Sequence, residues 1–247
     1  MSKLHDEGFE LLENIYCRSD CEQLLDQLES AMATDSDSFH VRKSRGTVFA
    51  ARNLIDICPA VKQVWQIPSL TSLLKNTLGD RFGLVRVLFF DKPSERSWSL
   101  PFHKDMTIAV ADNSLPTNQF RKPTHKAGVD HVEAPQELLQ QMLTLRIHLD
   151  DVTQDNGPLQ VIPGSHLTGK APAALDVEPE KVLCSAGDVL AMRPLISHGS
   201  AHSNPEKQMN RRILYLEFCG IEELPDGFKW ACFIRSDQMN ESRISHP

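Results

Sequence analysis

Gly83-Leu84-Val85-Arg86-Val87-Leu88-Phe89-Phe90-Asp91-Lys92-Pro93-Ser94 is where the chain changes character. A run of β-branched, aliphatic and aromatic residues closed by Asp-Lys-Pro-Ser reads as a strand ending in a turn. Similar short strands are expected at 99–110, 143–149, 159–162, 182–184, 189–192, 211–219 and 228–234. Too few helical windows separate them for a parallel α/β fold, so the second half should be antiparallel, as a closed or two-sheet β architecture. The segment 111–132 is polar and carries Pro116, Pro123 and Gly128. It reads as one long loop, of the kind used as a lid or binding loop. A short helix is expected at 135–141.

Upstream of the first strand the pattern is helical. Ser19 followed by Glu22 suggests a capping box, and Cys21, Leu24, Leu25, Leu28 and Met32 fall at helical spacing on one apolar stripe. Residues 34–46 are polar and read as loop. Helices are expected at 59–65 and 69–78, with Pro68 at a tolerated first position and Gly79 as the stop. We therefore expect one domain over residues 1–247. Buttressing helices fill about 1–80 and a β core about 81–235, a mainly β (α+β) chain.

Composition narrows the function classes. A net charge of −7 with scattered Lys and Arg disfavours nucleic acid as a partner, because phosphate backbones require a clustered basic surface. Six cysteines without a CxxC pair suit reduced thiols and a cytoplasmic location. No apolar run suggests a membrane segment or a secretory signal. Nothing in the sequence specifies an oligomeric state.

His103-Lys104-Asp105, taken with the distant His198, supplies two imidazoles and a carboxylate. That ligand set holds Fe(II) on one face and leaves the opposite face open. On an extended strand His103 and Asp105 would share a side while Lys104 points away. A lone His-x-Asp is weak evidence for a metal, since most histidines are simply hydrogen-bonded. Zinc accepts the same ligands, and a zinc hydrolase or a non-catalytic cupin-like binding module would fit the same residues. A hydrolase also wants a base near the metal-bound water, and the sequence nominates none.

Phe90-Asp91-Lys92-Pro93, Pro101-Phe102-His103-Lys104-Asp105, Leu145-Arg146-Ile147-His148-Leu149-Asp150-Asp151, the run Asn156-Gly157-Pro158-Leu159-Gln160-Val161-Ile162-Pro163-Gly164-Ser165-His166, Gly187-Asp188-Val189-Leu190 and His198-Gly199-Ser200 follow one another in order. Over roughly residues 80–220 they resemble the phytanoyl-CoA dioxygenase family of Fe(II)- and 2-oxoglutarate-dependent oxygenases. The resemblance implies a double-stranded β-helix (jelly-roll, cupin-like) core. It also implies His103, Asp105 and His198 as iron ligands and 2-oxoglutarate as cosubstrate, with O2 and a small molecule as the other reactants.

By the same resemblance an arginine shortly after the last histidine pairs with the distal carboxylate of 2-oxoglutarate. Arg211 and Arg212 both qualify, and Arg211 is preferred from the family's spacing, which leaves Arg212 solvated or salt-bridged. Strand alternation sends the two to opposite faces, and a planar guanidinium suits a carboxylate. Ser200 matches a hydroxyl position beside the cosubstrate and Leu88 an apolar wall position. Arg146 stands where the family's phytanoyl-CoA enzyme has a cosubstrate-side tryptophan, and a buried arginine there would need an anion, from 2-oxoglutarate or the substrate. An edge-strand arginine in solvent is the plainer alternative. Asp105 favours hydroxylation, since related halogenases lack that carboxylate. His148 shares a strand face with Arg146, whereas His202, His166 and the remaining histidines read as loop or hydrogen-bonding residues. Asp150 and Asp151 read as turn residues.

Overall fold

A short helix, α1 (Lys3–Asp6), and a strand, β1 (Phe9–Leu12), precede α2 (Arg18–Thr34) in the computed structural model, which describes residues 3–34, 41–44, 47–92, 98–173, 177–207 and 209–237. The α2 helix buries Cys21, Leu24, Leu25, Leu28 and Met32, the stripe its spacing predicts. Its cap is Cys17, two residues before Ser19, and the Cys17 backbone N–H donates to the Asp20 carboxylate at 2.9 Å. An acid in the first turn satisfies a donor that the helix itself leaves open.

The hairpin β2 (Val41–Ser44) and β3 (Thr47–Ala51) follows, so the expected loop at 34–46 is partly strand; 35–40 and 45–46 lie outside the described residues. Next come α3 (Leu54–Ile57), a 3-10 turn at Pro59–Lys62 in place of the helix expected over 59–65, and α4 (Pro68–Leu78). Gly79 ends α4 at φ +86°, a conformation that favours glycine.

The strands that follow are β4 (Gly83–Asp91), β5 (Leu100–His103), β6 (Thr107–Val110), β7 (Arg121–Lys126), β8 (Val129–Glu133), then α5 (Gln136–Leu139), β9 (Met142–His148), β10 (Leu159–Val161), β11 (Glu180–Val182), β12 (Val189–Met192), β13 (His198–Ser200), β14 (Arg212–Cys219) and β15 (Ile234–Arg235). All pairings are antiparallel. The large sheet runs β1-β12-β9-β14-β4-β3-β2, with β15 also on β4. A small sheet runs β11-β10-β13-β5 and a third β6-β8-β7. The four strands β12-β9-β14-β4 and the four of the small sheet form a jelly roll. Its two sheets meet through Leu159, Val161 and Val182 on one side and Leu190 and Met192 on the other.

Alternation divides the large sheet into two chemistries. Leu84, Val87 and Phe89 of β4, Leu143, Leu145 and Ile147 of β9, and Leu214, Leu216 and Phe218 of β14 share one apolar core with α2 and α4. On the reverse face Arg86, Leu88 and Phe90, Arg146, and Ile213, Tyr215 and Glu217 line a cavity inside the roll. Helices thus brace one side so that the other can carry polar residues.

Three further sequence expectations change. The strand expected at 99–110 is two strands in different sheets, and Asp105 sits in the break between them. The segment 111–132, expected as a loop, folds into β7 and most of β8 around a two-residue turn with Ala127 and Gly128 at φ +51° and +75°. Exposed polar residues along β7 gave no alternating signal, and backbone pairing alone makes it a strand. The segment expected at 228–234 is strand only at its end, beyond a single bridge from Trp230 to Val110. No helix among the described residues is long and apolar enough to cross a membrane. All six cysteines are free.

Candidate active site

His103 ends β5 and His198 opens β13, and the two are direct partners in the antiparallel register. Each imidazole lies with Nδ1 against a backbone carbonyl, of Pro101 at 2.9 Å and Ile196 at 3.0 Å. A carbonyl only accepts, so Nδ1 carries the proton and Nε2 presents a lone pair. Both Nε2 atoms face Asp105, at 3.8 Å from His103 and 3.7 Å from His198. One ligand atom from each of the three residues lies within 4.8 Å of the others, a spacing that could hold a metal ion.

Asp105 is placed by its backbone, whose N–H donates to the Pro194 carbonyl at 2.9 Å. Lys104 points the other way, its ammonium donating to Ser165 O, Thr168 Oγ1 and Gly169 O at 2.7–2.8 Å. Tyr215 donates its hydroxyl to Asp105 Oδ2 at 2.6 Å. Burial opposes charge on Asp105, but His198, the Tyr215 hydrogen bond, His103 and Arg86 outweigh it and hold the carboxyl below its ordinary range. Burial keeps His198 neutral and keeps the Tyr215 phenol protonated. These states leave an anionic oxygen and the neutral His198 nitrogen facing one point with His103 Nε2, a donor set that suits a divalent cation.

The cavity holds about 610 Å³, and Leu88, His103, Asp105, Arg146, His198, Ser200 and Arg211, the seven residues singled out in the sequence, all line it. Arg146 and Arg211 are buried. Nε of Arg146, and Nε and Nη1 of Arg211, have no hydrogen-bond partner among the described residues. The Arg146 guanidinium lies 5.4 Å from the Tyr215 ring centroid, within cation–π reach. Burial, then the like charge of Arg146, pull Arg211 down to about 9. Arginine keeps its proton in proteins, so this cost is relieved by an anion. A small dicarboxylate fits the two unsatisfied guanidiniums facing the same cavity as the ligand triad.

Arg212 faces the other way. Its Nε and Nη2 donate to the two Asp150 oxygens at 2.8 and 2.7 Å, a fork that removes it from the cavity. Asp151 accepts the Ala186 N–H and pairs with Arg18, so both aspartates hold chain segments together. The Asn156-Gly157 step is also structural. Asn156 bonds Thr153 N and Asp151 O, while a Cβ on Gly157, at φ +66°, would meet Ala201 O at 2.6 Å and Lys92 Nζ at 2.7 Å.

Four neighbours of the site were missed in the sequence. Tyr215 and Glu217 lie two and four residues past Ile213 on the face that also carries Arg211, so continued alternation would have found them. Arg86 and Glu217 form a buried two-pronged ion pair at 2.9 and 2.5 Å beneath the triad. Lys92 is buried and donates to Ala201 O at 2.6 Å.

Among the other histidines, His148 does not line the cavity. Neither of its nitrogens has a partner among the described residues, and burial, Arg146 and Arg211 hold it well below 6.5. His202 is exposed outside any helix or strand, and His166 lies in the 3-10 turn at Ser165–Thr168.

His131 on β8 is buried and pushed down to about 4, first by burial and then by Arg86. In the unfolded chain it titrates near 6.5, so from 6.5 down to about 4 only the unfolded state gains its proton. Stability to urea should fall by up to about 3 kcal/mol over that window as pH drops. His131→Gln should make this slope shallower, leaving the same-signed parts from His148, His166 and His198 and the opposite-signed part from Asp91. An unchanged slope would contradict the assignment.

The family profile for phytanoyl-CoA dioxygenase (PhyH) matches residues 4–209, and the chain belongs to that family. No curated protein matches it by sequence. Similar solved structures include EctD from S. alaskensis with bound Fe, at TM-score 0.66 and 16% identity, covering 88% of this chain and 74% of that one. ThoJ, described as a non-heme monooxygenase, aligns with TM-score 0.65 and 17% identity over 88% of this chain and 75% of its own. SnoK, a non-heme alpha ketoglutarate dependent carbocyclase from nogalamycin biosynthesis, aligns with TM-score 0.62 and 13% identity over 87% and 81%. At such identities these likenesses establish the shared fold.

Proposed function

We propose that this protein is an Fe(II)- and 2-oxoglutarate-dependent dioxygenase that hydroxylates a C–H bond of a small molecule. One observation carries the reading: a two-histidine, one-carboxylate triad shares a cavity with two buried arginines, of which Arg146 Nε and Arg211 Nε and Nη1 have no partner among the described residues. Fe(II) with 2-oxoglutarate and O2 supplies oxidative decarboxylation of the cosubstrate to succinate and CO2, coupled to insertion of one oxygen atom into a C–H bond. His103, Asp105 and His198 would hold the metal, with the Nδ1 hydrogen bonds fixing the imidazoles and Tyr215 orienting the carboxylate.

Arg211 would take the distal carboxylate with Ser200 beside it, Leu88 would form an apolar wall, and Arg146 would supply the second positive charge. A solved EctD contains 2-oxoglutarate with 5-hydroxyectoine, which supports the same cosubstrate here. Asp105 favours hydroxylation over halogenation, because the carboxylate fills the position a halide would need. The zinc-hydrolase alternative loses ground on Glu217, the other carboxylate lining the cavity, which is held in its pair with Arg86. Free cysteines suit a reducing, cytoplasmic setting.

Succinate release from 2-oxoglutarate should require both Fe(II) and O2 and should rise when the true substrate is supplied from a fractionated metabolite extract. Zinc-dependent hydrolysis without succinate formation would contradict the proposal.

A further inference from the structure

The ligand triad sits where its strands have least support. Among the described residues β5 pairs with β13 alone, and that pairing ends at His103, itself a ligand. Leu100 and Phe102 of β5 are 40% and 43% exposed, so apolar packing does little to hold the strand. Asp105 lies past the end of β5, and His198 is the first residue of β13. Ligands placed at strand ends need partners outside the ligand set to keep their spacing.

Lys104, between two of the ligands in sequence, has such partners. An ammonium has three donors, and all three are used, on Ser165 O, Thr168 Oγ1 and Gly169 O at 2.7, 2.8 and 2.7 Å. The same turn reaches the other strand. Ser165 is buried, and its Oγ accepts the backbone N–H of Ser197, the residue before His198, at 2.8 Å. Ser165 therefore holds the His103–Asp105 side through its carbonyl and the His198 side through its hydroxyl. The turn is itself fastened on both flanks. The Gly164 N–H donates to Glu7 O at 2.8 Å and His166 Nε2 to His5 O at 3.0 Å, while the Lys170 N–H donates to Gln136 Oε1 at 3.1 Å and its ammonium meets Glu133 at 2.9 Å. Gly169 sits at φ +59°, and a Cβ there would run into the Gln136 side chain, so only glycine presents that carbonyl to Lys104 without strain.

We infer that Lys104 and Ser165 are positioning residues that act as one clamp, holding the end of β5 and the start of β13 at metal-binding separation. Neither lines the cavity. The inference rests on the metal site of the dioxygenase reading and adds to it two residues that act through the ligands. Charge alone argues against a lysine here, because an ammonium repels a divalent cation. The two effects therefore differ in sign: removing the charge favours metal binding, and releasing the clamp disfavours it.

The test measures Fe(II) affinity by equilibrium dialysis under nitrogen, and the visible spectrum of the Co(II)-loaded protein, for Lys104→Met, Ser165→Ala and the double variant. Each single change should weaken Fe(II) binding about tenfold and alter the Co(II) bands, which report ligand geometry. The double variant should lose about the same factor, not about 100-fold, because one clamp is broken only once. Unchanged or tighter Fe(II) binding in Lys104→Met, or losses that multiply in the double variant, overturns the inference. So does a lowered melting temperature in either single variant with Fe(II) affinity and Co(II) bands as in the parent protein, which would mark an ordinary contribution to folding. Should Lys104→Met fail to fold, Ser165→Ala, which leaves the carbonyl and the ammonium contact in place, decides on the same readouts. The Fe(II)–2-oxoglutarate absorbance of the parent protein reports separately on the dioxygenase reading: metal bound without that band strikes the cosubstrate and leaves the clamp standing.

Discussion

Arg211→Ala should weaken 2-oxoglutarate binding by about 100-fold while leaving Fe(II) affinity nearly unchanged, because it removes a buried, preorganised fork that faces the cavity and none of the metal ligands. Arg212→Ala should leave 2-oxoglutarate affinity alone. The two variants should also separate in stability, in the opposite sense. Without a cosubstrate, Arg211 is a buried charge with unsatisfied donors, so its removal should leave the melting temperature unchanged or raise it. Arg212 holds both Asp150 oxygens, and its removal should cost about 1–3 kcal/mol. Isothermal titration with 2-oxoglutarate and thermal unfolding of the metal-free variants check both halves. Equal losses of 2-oxoglutarate affinity in the two variants would reverse the assignment.

Asp105→Ala should lower Fe(II) affinity by about 100-fold or more, a larger effect than changes to groups that only orient ligands. Two neutral imidazoles would remain, with no anion to balance a divalent cation, and Arg146 and Arg86 would lose a nearby negative charge. Tyr215→Phe tests the supporting contact. It removes the 2.6 Å hydrogen bond that orients the carboxylate and should cost about tenfold in metal affinity. Equilibrium dialysis of Fe(II) under nitrogen measures both. Retention of full affinity in Asp105→Ala would remove the carboxylate from the site.

The strands that build the frame were legible because their residues pack. Apolar runs at β4, β9, β12 and β14 mark strands buried on at least one face, and the α2 stripe buries the five residues its spacing names. Strands held by backbone bonds alone were not legible: β7 is exposed throughout, and β1 was not expected at all, being only four residues added to the edge of β12. Asp105 was found for a reason that proved incomplete. Strand alternation would place it beside His103, whereas it sits past the end of β5 in a bend held by the Pro194 carbonyl. The opposite orientation of Arg211 and Arg212 did follow from alternation. Continued alternation from Arg211 puts Tyr215 and Glu217 on the cavity face, but their contacts with Asp105 and Arg86 join residues more than 100 positions apart, a relation no local pattern encodes.

The central claim is that this cavity binds Fe(II) and 2-oxoglutarate together. Anaerobic addition of Fe(II) and then 2-oxoglutarate to metal-free protein tests it most directly. The account predicts a weak visible charge-transfer band that saturates with one cosubstrate per chain. Folded protein that gives no band, or that binds zinc tightly and turns over a hydrolytic substrate, would contradict it.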